Sequence, residues 1–210
     1  MKRRQFALAA AALPGLLALP SAHAQSKGYL TLERTAPVDA PAGKIEVIEF
    51  FSYSCPHCMH FEPIFENWRK GVARDVTVHQ VHVGFNKGFE PLQRIYYALE
   101  AMGQLGAMQA KVFDAMQNQR KRLDKSDVLM PWIAEQGLDR AKFEETYKSF
   151  GVDSKLRRAV QLQEAYQVQA TPSMGIAGRF YTDPDTAPGG GFDAMLKVVD
   201  DLIVLARKDK

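Results

Sequence analysis

The sequence predicts an α/β fold in which a strand-helix-strand half and a strand-helix half bracket an all-helical block. Three observations carry this reading. Apolar and polar residues alternate with a period of two over residues 44–52 and again around 75–85; apolar residues then recur every three or four positions from about 90 to 167; strand-like residues return near 173 and lead into a last helical stripe. At 210 residues, 46% of them hydrophobic, the chain is long enough for one core carrying an insertion.

The first 24 residues read as an address, not as part of this fold. Lys2, Arg3 and Arg4 precede an apolar run from Phe6 to Leu19, and Ala22-His23-Ala24 fits a small-x-small cleavage site. A membrane anchor is the alternative, but Pro14 and Gly15 break the run, which falls short of the roughly 20 apolar residues that span a bilayer. Removal at Ala24 is therefore expected. Arg3-Arg4-Gln5-Phe6 also hints weakly at a twin-arginine signal. Those 24 residues hold three of the 27 basic residues and none of the 24 acidic ones, so the mature chain keeps 24 of each. A neutral chain without a cationic block gives no electrostatic reason to expect nucleic acid or anionic lipid as a partner.

Residues 25–43, rich in Ala, Pro and Gly, read as a leader into the first core strand. In that strand Ile45, Val47, Glu49 and Phe51 share one face and Glu46, Ile48 and Phe50 the other; both faces are mostly apolar, as in a central strand. Tyr53-Ser54-Cys55-Pro56-His57-Cys58 follows at once, and Met59, Phe61, Ile64, Phe65 and Trp68 recur at helical spacing. The cysteines thus fall where strand gives way to helix, with Pro56 suited to the first turn. Residues 75–85 supply a second strand expected to pair in parallel.

The helical block is expected to hold helices over 92–102, 105–117, 126–136, 141–150 and 155–168. Ser126 and Asp139 are the expected N-caps, and Gly103, Gly137 and Gly151 the expected stops. Pro131 either kinks the third helix or marks its start. A strand is expected over 173–181, then turns through Gly191, then a helix whose stripe is Phe192, Met195, Leu196, Val199, Leu202 and Ile203. The domains so read are 25–88 with 168–210, and an inserted helical domain at 89–167.

The chemistry centres on the chain's two cysteines, three positions apart. A bond between them closes too small a loop to stabilise much, because stabilisation grows with loop length, so the pair makes a better redox switch than staple. Thiols attack disulfides as thiolates, and a helix N-terminus stabilises negative charge on sulfur. Cys55, at that end with His57 as a polar neighbour, is the expected nucleophile; Cys58, one turn on, is the expected shielded partner. Zinc is the alternative, with His57, His60, His79 and His82 at hand. Residues 79 and 82 of a strand point to opposite faces, however, and no second C-x-x-C exists, so no metal is expected.

Glu49-Phe50-Phe51-Ser52-Tyr53-Ser54-Cys55-Pro56-His57-Cys58, followed by Phe61-Glu62, resembles the active-site segment of the DsbA family of thiol:disulfide interchange proteins. The resemblance covers essentially the whole mature chain. It implies a thioredoxin fold with an inserted all-helical domain, and a proline in cis facing the disulfide, for which Thr171-Pro172 is the matching dipeptide in a substrate-pairing loop. Without it, an X-Pro bond is expected trans and Pro172 an ordinary turn residue. The resemblance also places Glu49 beneath the cysteines, where a buried carboxylate could relay the Cys58 proton; a strand glutamate reaching solvent is the alternative. One departure is Gln80-Val81 before His82, where the family's best-known member has a lysine and an aromatic residue.

The aromatic and methionine residues of the block, Tyr96, Tyr97, Met102, Met108, Phe113, Met116 and Trp132, sit at core spacing, with a few left to line an apolar groove. Taken together, the resemblance implies a monomeric periplasmic dithiol oxidase that needs no metal or organic cofactor. It would pass its disulfide to newly exported proteins and be re-oxidised by a DsbB-like quinone-linked membrane protein. Two rivals stand beside it: a reductase or isomerase of the same fold, and a chaperone that uses the groove without redox turnover.

Overall fold

The computed structural model describes residues 27–208; the expected signal peptide lies outside them. Five strands form one sheet in the order β1-β5-β4-β2-β3, with β1 at Leu30–Thr31, β2 at Ile45–Phe51, β3 at Val76–His82, β4 at Ser173–Ile176 and β5 at Phe180–Thr182. β2 is an internal strand, parallel to β3 and antiparallel to β4. All seven of its residues are buried, which is why both its faces read as apolar.

Helix α1, Pro56–Gly71, links β2 to β3. Five helices separate β3 from β4: α2 Glu90–Ala101, α3 Leu105–Gln117, α4 Ser126–Glu135, α5 Arg140–Tyr147 and α6 Phe150–Ala165; α7, Gly191–Lys208, closes the chain. Two cores result. Ile45 and Val47 pack with Phe61 and Phe65 of α1 and Met195, Val199 and Leu202 of α7. Ile48 and Phe50 join the core of the helical block. Phe51, in phase with Val47 along the strand, instead meets Tyr53, Tyr96 and Phe113 edge-on or tilted at ring centroid separations of 5.1–6.0 Å. The last residue of β2 thus ties the helical block to the sheet.

Several boundaries differ from the expected ones, each for a local reason. Ser126 is not an N-cap: Lys125 holds that position without a side-chain bond, and Ser126 opens α4. Asp139 does cap α5, accepting from the Lys142 N–H at 3.0 Å. Gly151 stops nothing, because Ser149 caps α6 by accepting from the Val152 N–H and Gly151 falls inside its first turn. Pro131 lies within α4 and does not start it. Gly103 and Gly137 do follow helix ends with positive φ.

The single strand expected over 173–181 is a hairpin. Ala177 and Gly178 both have positive φ, and the Arg179 N–H donates to the Ile176 carbonyl at 2.9 Å, a tight turn of the primed type. A Cβ on Gly178 would stand 2.6 Å from the Ala36 carbonyl oxygen, so the close approach of the leader requires glycine there. The leader itself supplies the short edge strand β1, paired with β5, which composition alone did not reveal.

Candidate active site

Cys55 is the N-cap of α1, with Pro56 in the first turn. Its backbone is extended, so its sulfur turns back over the open end of the helix and accepts from the Cys58 N–H at 3.4 Å. Both cysteines are thiols in this structure, Cys55 half-buried and Cys58 fully buried. The Thr171-Pro172 peptide is cis, and the Cys55 thiol donates to the Thr171 carbonyl at 3.3 Å. Residues 116 positions apart in sequence thereby meet at one sulfur.

The two sulfurs are driven in opposite directions. The Cys55 thiol is lowered to about 5, first by its hydrogen bond with Cys58, then by one with the Thr171 side chain and by the N–H groups of Cys58 and His57, which together outweigh burial. His57 thus acts through its backbone; its ring and Pro56 are exposed. Cys58 is pushed far up, chiefly by burial and then by the neighbouring Cys55 sulfur.

Glu49 is fully buried, which removes the solvent-reaching alternative. Gln80, its register partner on β3, donates from Nε2 to Glu49 Oε2 at 2.7 Å and to Glu62 Oε2 at 3.0 Å. One amide group therefore serves two carboxylates. Burial, followed by the charge of Glu62, raises Glu49 well above the usual carboxylate range, with the Gln80 bond opposing. Glu62 is raised by its own burial. Glu49 Oε1 is buried without a hydrogen-bond partner among the described residues, an arrangement suited to a neutral acid with a proton to give.

The turn before Cys55 is clamped by residues the sequence reading did not single out for this role. The Tyr53 N–H donates to His82 Nε2 at 3.1 Å, its hydroxyl donates to Gln109 Oε1 at 2.6 Å, and its carbonyl accepts from Gln117 Nε2 at 2.7 Å. His82 Nδ1 lies 2.9 Å from the Val83 carbonyl, so Nδ1 carries the proton and Nε2 accepts. Burial lowers His82 to about 3, keeping it neutral. Gln109 and Gln117 are eight positions apart, two turns of one helix face, which is the signal that could have found them. Among the described residues no three His, Cys, Asp or Glu side chains are grouped to hold a metal ion.

Of the residues expected to be core or groove, Tyr96, Tyr97, Met108, Phe113 and Trp132 are buried. Met102 and Met116 are partly open, and Met116 lines a depression that begins at Ser54, one residue before Cys55.

Comparisons with known proteins bear on the fold and the family. Residues 46–190 match the family model described as DSBA-like thioredoxin domain. The chain is 44% identical to the thiol:disulfide interchange protein DsbA of Bordetella parapertussis over 203 residues, 96% of each chain. It is 34% identical to that of Pseudomonas aeruginosa over 196 residues, 93% of this chain and 92% of the relative. Superposition on the crystal structure of Pseudomonas aeruginosa DsbA gives a TM-score of 0.82 at 33% identity, covering 87% of this chain and 94% of that one. The oxidoreductase DsbA from Xylella fastidiosa gives 0.78 at 26% identity, covering 86% and 96%. With a family model matched over residues 46–190 and relatives 34–44% identical across nearly the whole chain, this chain belongs to the DsbA family of thioredoxin-fold proteins.

Proposed function

We propose that the chain is a thiol:disulfide oxidoreductase that introduces disulfide bonds into exported proteins through Cys55 and Cys58. The observation that carries this reading is the asymmetry of the two sulfurs: one open and held as thiolate, the other buried and held as thiol. A stable Cys55 thiolate stabilises the reduced enzyme, and so makes its disulfide oxidising.

In the oxidised enzyme a substrate thiolate attacks Cys55 Sγ. A substrate-Cys55 bond forms, the Cys55-Cys58 bond breaks, and its electron pair goes to Cys58 Sγ, which takes the proton that burial keeps on Glu49. A second substrate thiolate then attacks the first substrate sulfur and releases Cys55 as its thiolate. The substrate has lost two electrons and gained a disulfide; the enzyme holds a dithiol. The cis-Pro172 loop, beside the attacked sulfur, offers its backbone to the substrate chain. Return to the disulfide needs an external oxidant, and a DsbB-like quinone-linked membrane protein fits that need.

The expected leader supports a periplasmic location for the mature chain; the same reading takes it to act as a monomer without a metal or organic cofactor. Detection of a chain beginning at Gln25 in a periplasmic extract tests the location. Equilibration of that chain with glutathione buffers tests the direction. A Cys55-Cys58 reduction potential well above thioredoxin's, about −270 mV, supports the oxidase; one near or below it makes the protein a reductase. Retained peptide binding with full refolding activity in Cys55→Ser would replace both with a chaperone.

A further inference from the structure

A depression of about 500 Å³ opens beside the nucleophile, starting at Ser54. Its apolar lining is made by Phe89, which precedes α2, Leu92 in the first turn of α2 and Met116 of α3. Its rim is cationic: Arg120, Lys121 and Arg122 line it in sequence. Asp124 is the one carboxylate in that lining, and it is held by Arg122 through two bonds of 2.7 Å, with Lys125 at 3.6 Å. Arg120 and Lys121 make no side-chain hydrogen bond or ion pair among the described residues.

The segment that carries these cations is held in place. Arg120 has φ 54, in the left-handed region where glycine is usual, and the Lys121 N–H donates to the Ala115 carbonyl at 2.8 Å, closing the end of α3. Gln117, just before it, is bonded to the Tyr53 carbonyl two residues from Cys55. The loop therefore presents uncommitted positive charge at a fixed place relative to the reacting sulfur.

From this we infer that the depression is a substrate subsite that selects acidic polypeptide segments: an apolar side chain seated on Met116, with Asp or Glu beside it facing Arg120 and Lys121. The inference rests on the oxidase reading, since the occupant is the chain whose thiol attacks Cys55. Each extended residue spans at most about 3.3–3.6 Å, so residues two to four positions from the attacking cysteine lie up to roughly 7–14 Å from it along the chain, on the side where Ser54, the neighbour of Cys55, lines the depression. Exposed cations act on such a segment mainly by steering and by weak pairing, both sensitive to salt.

The test uses reduced dithiol peptides with a leucine and either two glutamates or two lysines beside the first cysteine. Their oxidation by wild-type protein is compared with that by Arg120→Ser/Lys121→Ser. Taking the ratio of the two enzymes for each peptide cancels the effect of charge on the peptide's own thiols. At low ionic strength the variant is expected to lose about fivefold or more of the glutamate-over-lysine preference in kcat/KM, with a Cys55-Cys58 reduction potential matching wild type. Salt of about 0.5 M should erase the same preference in wild type. Equal ratios for the two peptides, or a preference that survives in the variant, overturns the subsite and leaves the oxidase standing. Failure of wild-type protein to oxidise either peptide overturns the oxidase itself.

Discussion

Gln80 stands directly across from Glu49 on the neighbouring parallel strand and donates a 2.7 Å hydrogen bond to its carboxylate. The same nitrogen serves Glu62, so two buried acids share a neutral donor where a cation would favour their ionised forms. Gln80→Lys should lower the pKa of both acids. Glu49 would then be ionised at neutral pH and unable to hand a proton to Cys58. Substrate oxidation at neutral pH should fall about tenfold, and the pH-rate profile should shift toward acid; an unmoved profile would remove Glu49 from the proton path.

Glu49→Gln tests the same path without adding charge. It keeps the volume and polarity of the side chain but has no proton to give. Turnover should drop tenfold or more, within the range for loss of a general acid, while the Cys55 titration midpoint stays near wild type, since Glu49 is not among the groups that set it.

The Cys55 thiolate makes stability depend on redox state and pH. Its folded pKa, about 5, lies below the ordinary 9, so the stabilisation of the reduced form is complete above pH 9 and disappears as pH falls through 5. Thiolate absorbance should titrate with a midpoint near 5. Because the sulfur is half-exposed and screened, the gain at pH 7 is about 1–2 kcal/mol. Denaturant unfolding of reduced and oxidised protein at pH 4, 7 and 9 measures it, and a gap that fails to widen with pH would contradict the assignment.

His82 sets an acid limit. Burial lowers it to about 3 from 6.5, so the unfolded chain takes up a proton that the folded chain refuses, and stability declines as pH drops from 6.5 toward 3. The loss from this one group is of order 3–5 kcal/mol. His82→Gln, which retains an acceptor for the Tyr53 N–H, should show a shallower acid slope in urea unfolding.

Gly175 on β4 has no room for a side chain. An added Cβ would lie 2.5 Å from the Tyr166 ring, whose hydroxyl accepts from the Gly178 N–H at 2.9 Å. Gly175→Ala should destabilise by about 1–3 kcal/mol through overpacking, read as a lowered Tm. Tyr166→Leu in the same background should recover part of it.

The elements that were legible in the sequence are those whose signal is local. The β2 to α1 junction announced itself through an alternating run, a proline and helical spacing, and the structure has it there. Asp139 could be read as a cap because its bond spans three residues. The hairpin at Ala177-Gly178 was missed because Ala177 carries none of the usual turn chemistry, and Gly151 misled because a glycine marks a helix end only when its φ is positive, which here it is not. β1 escaped because two residues have no periodicity to detect.

By itself the sequence determined which two sulfurs stand together at a helix end. Two cysteines at the mouth of a helix are close through the chain, and a helix end stabilises a thiolate wherever it sits in a protein. Tertiary structure decided everything that depends on residues far apart: Pro172 set against Cys55, Tyr53 clamped by β3 and α3, and Gln80 placed between Glu49 and Glu62. Burial and long-range hydrogen bonds set the charge on those groups, and neither is a property of any short stretch of chain. The cysteine pair could therefore be singled out from ten residues, whereas the full burial of Glu49, and the Gln80 amide that opposes the effect of that burial on its charge, required the folded sheet.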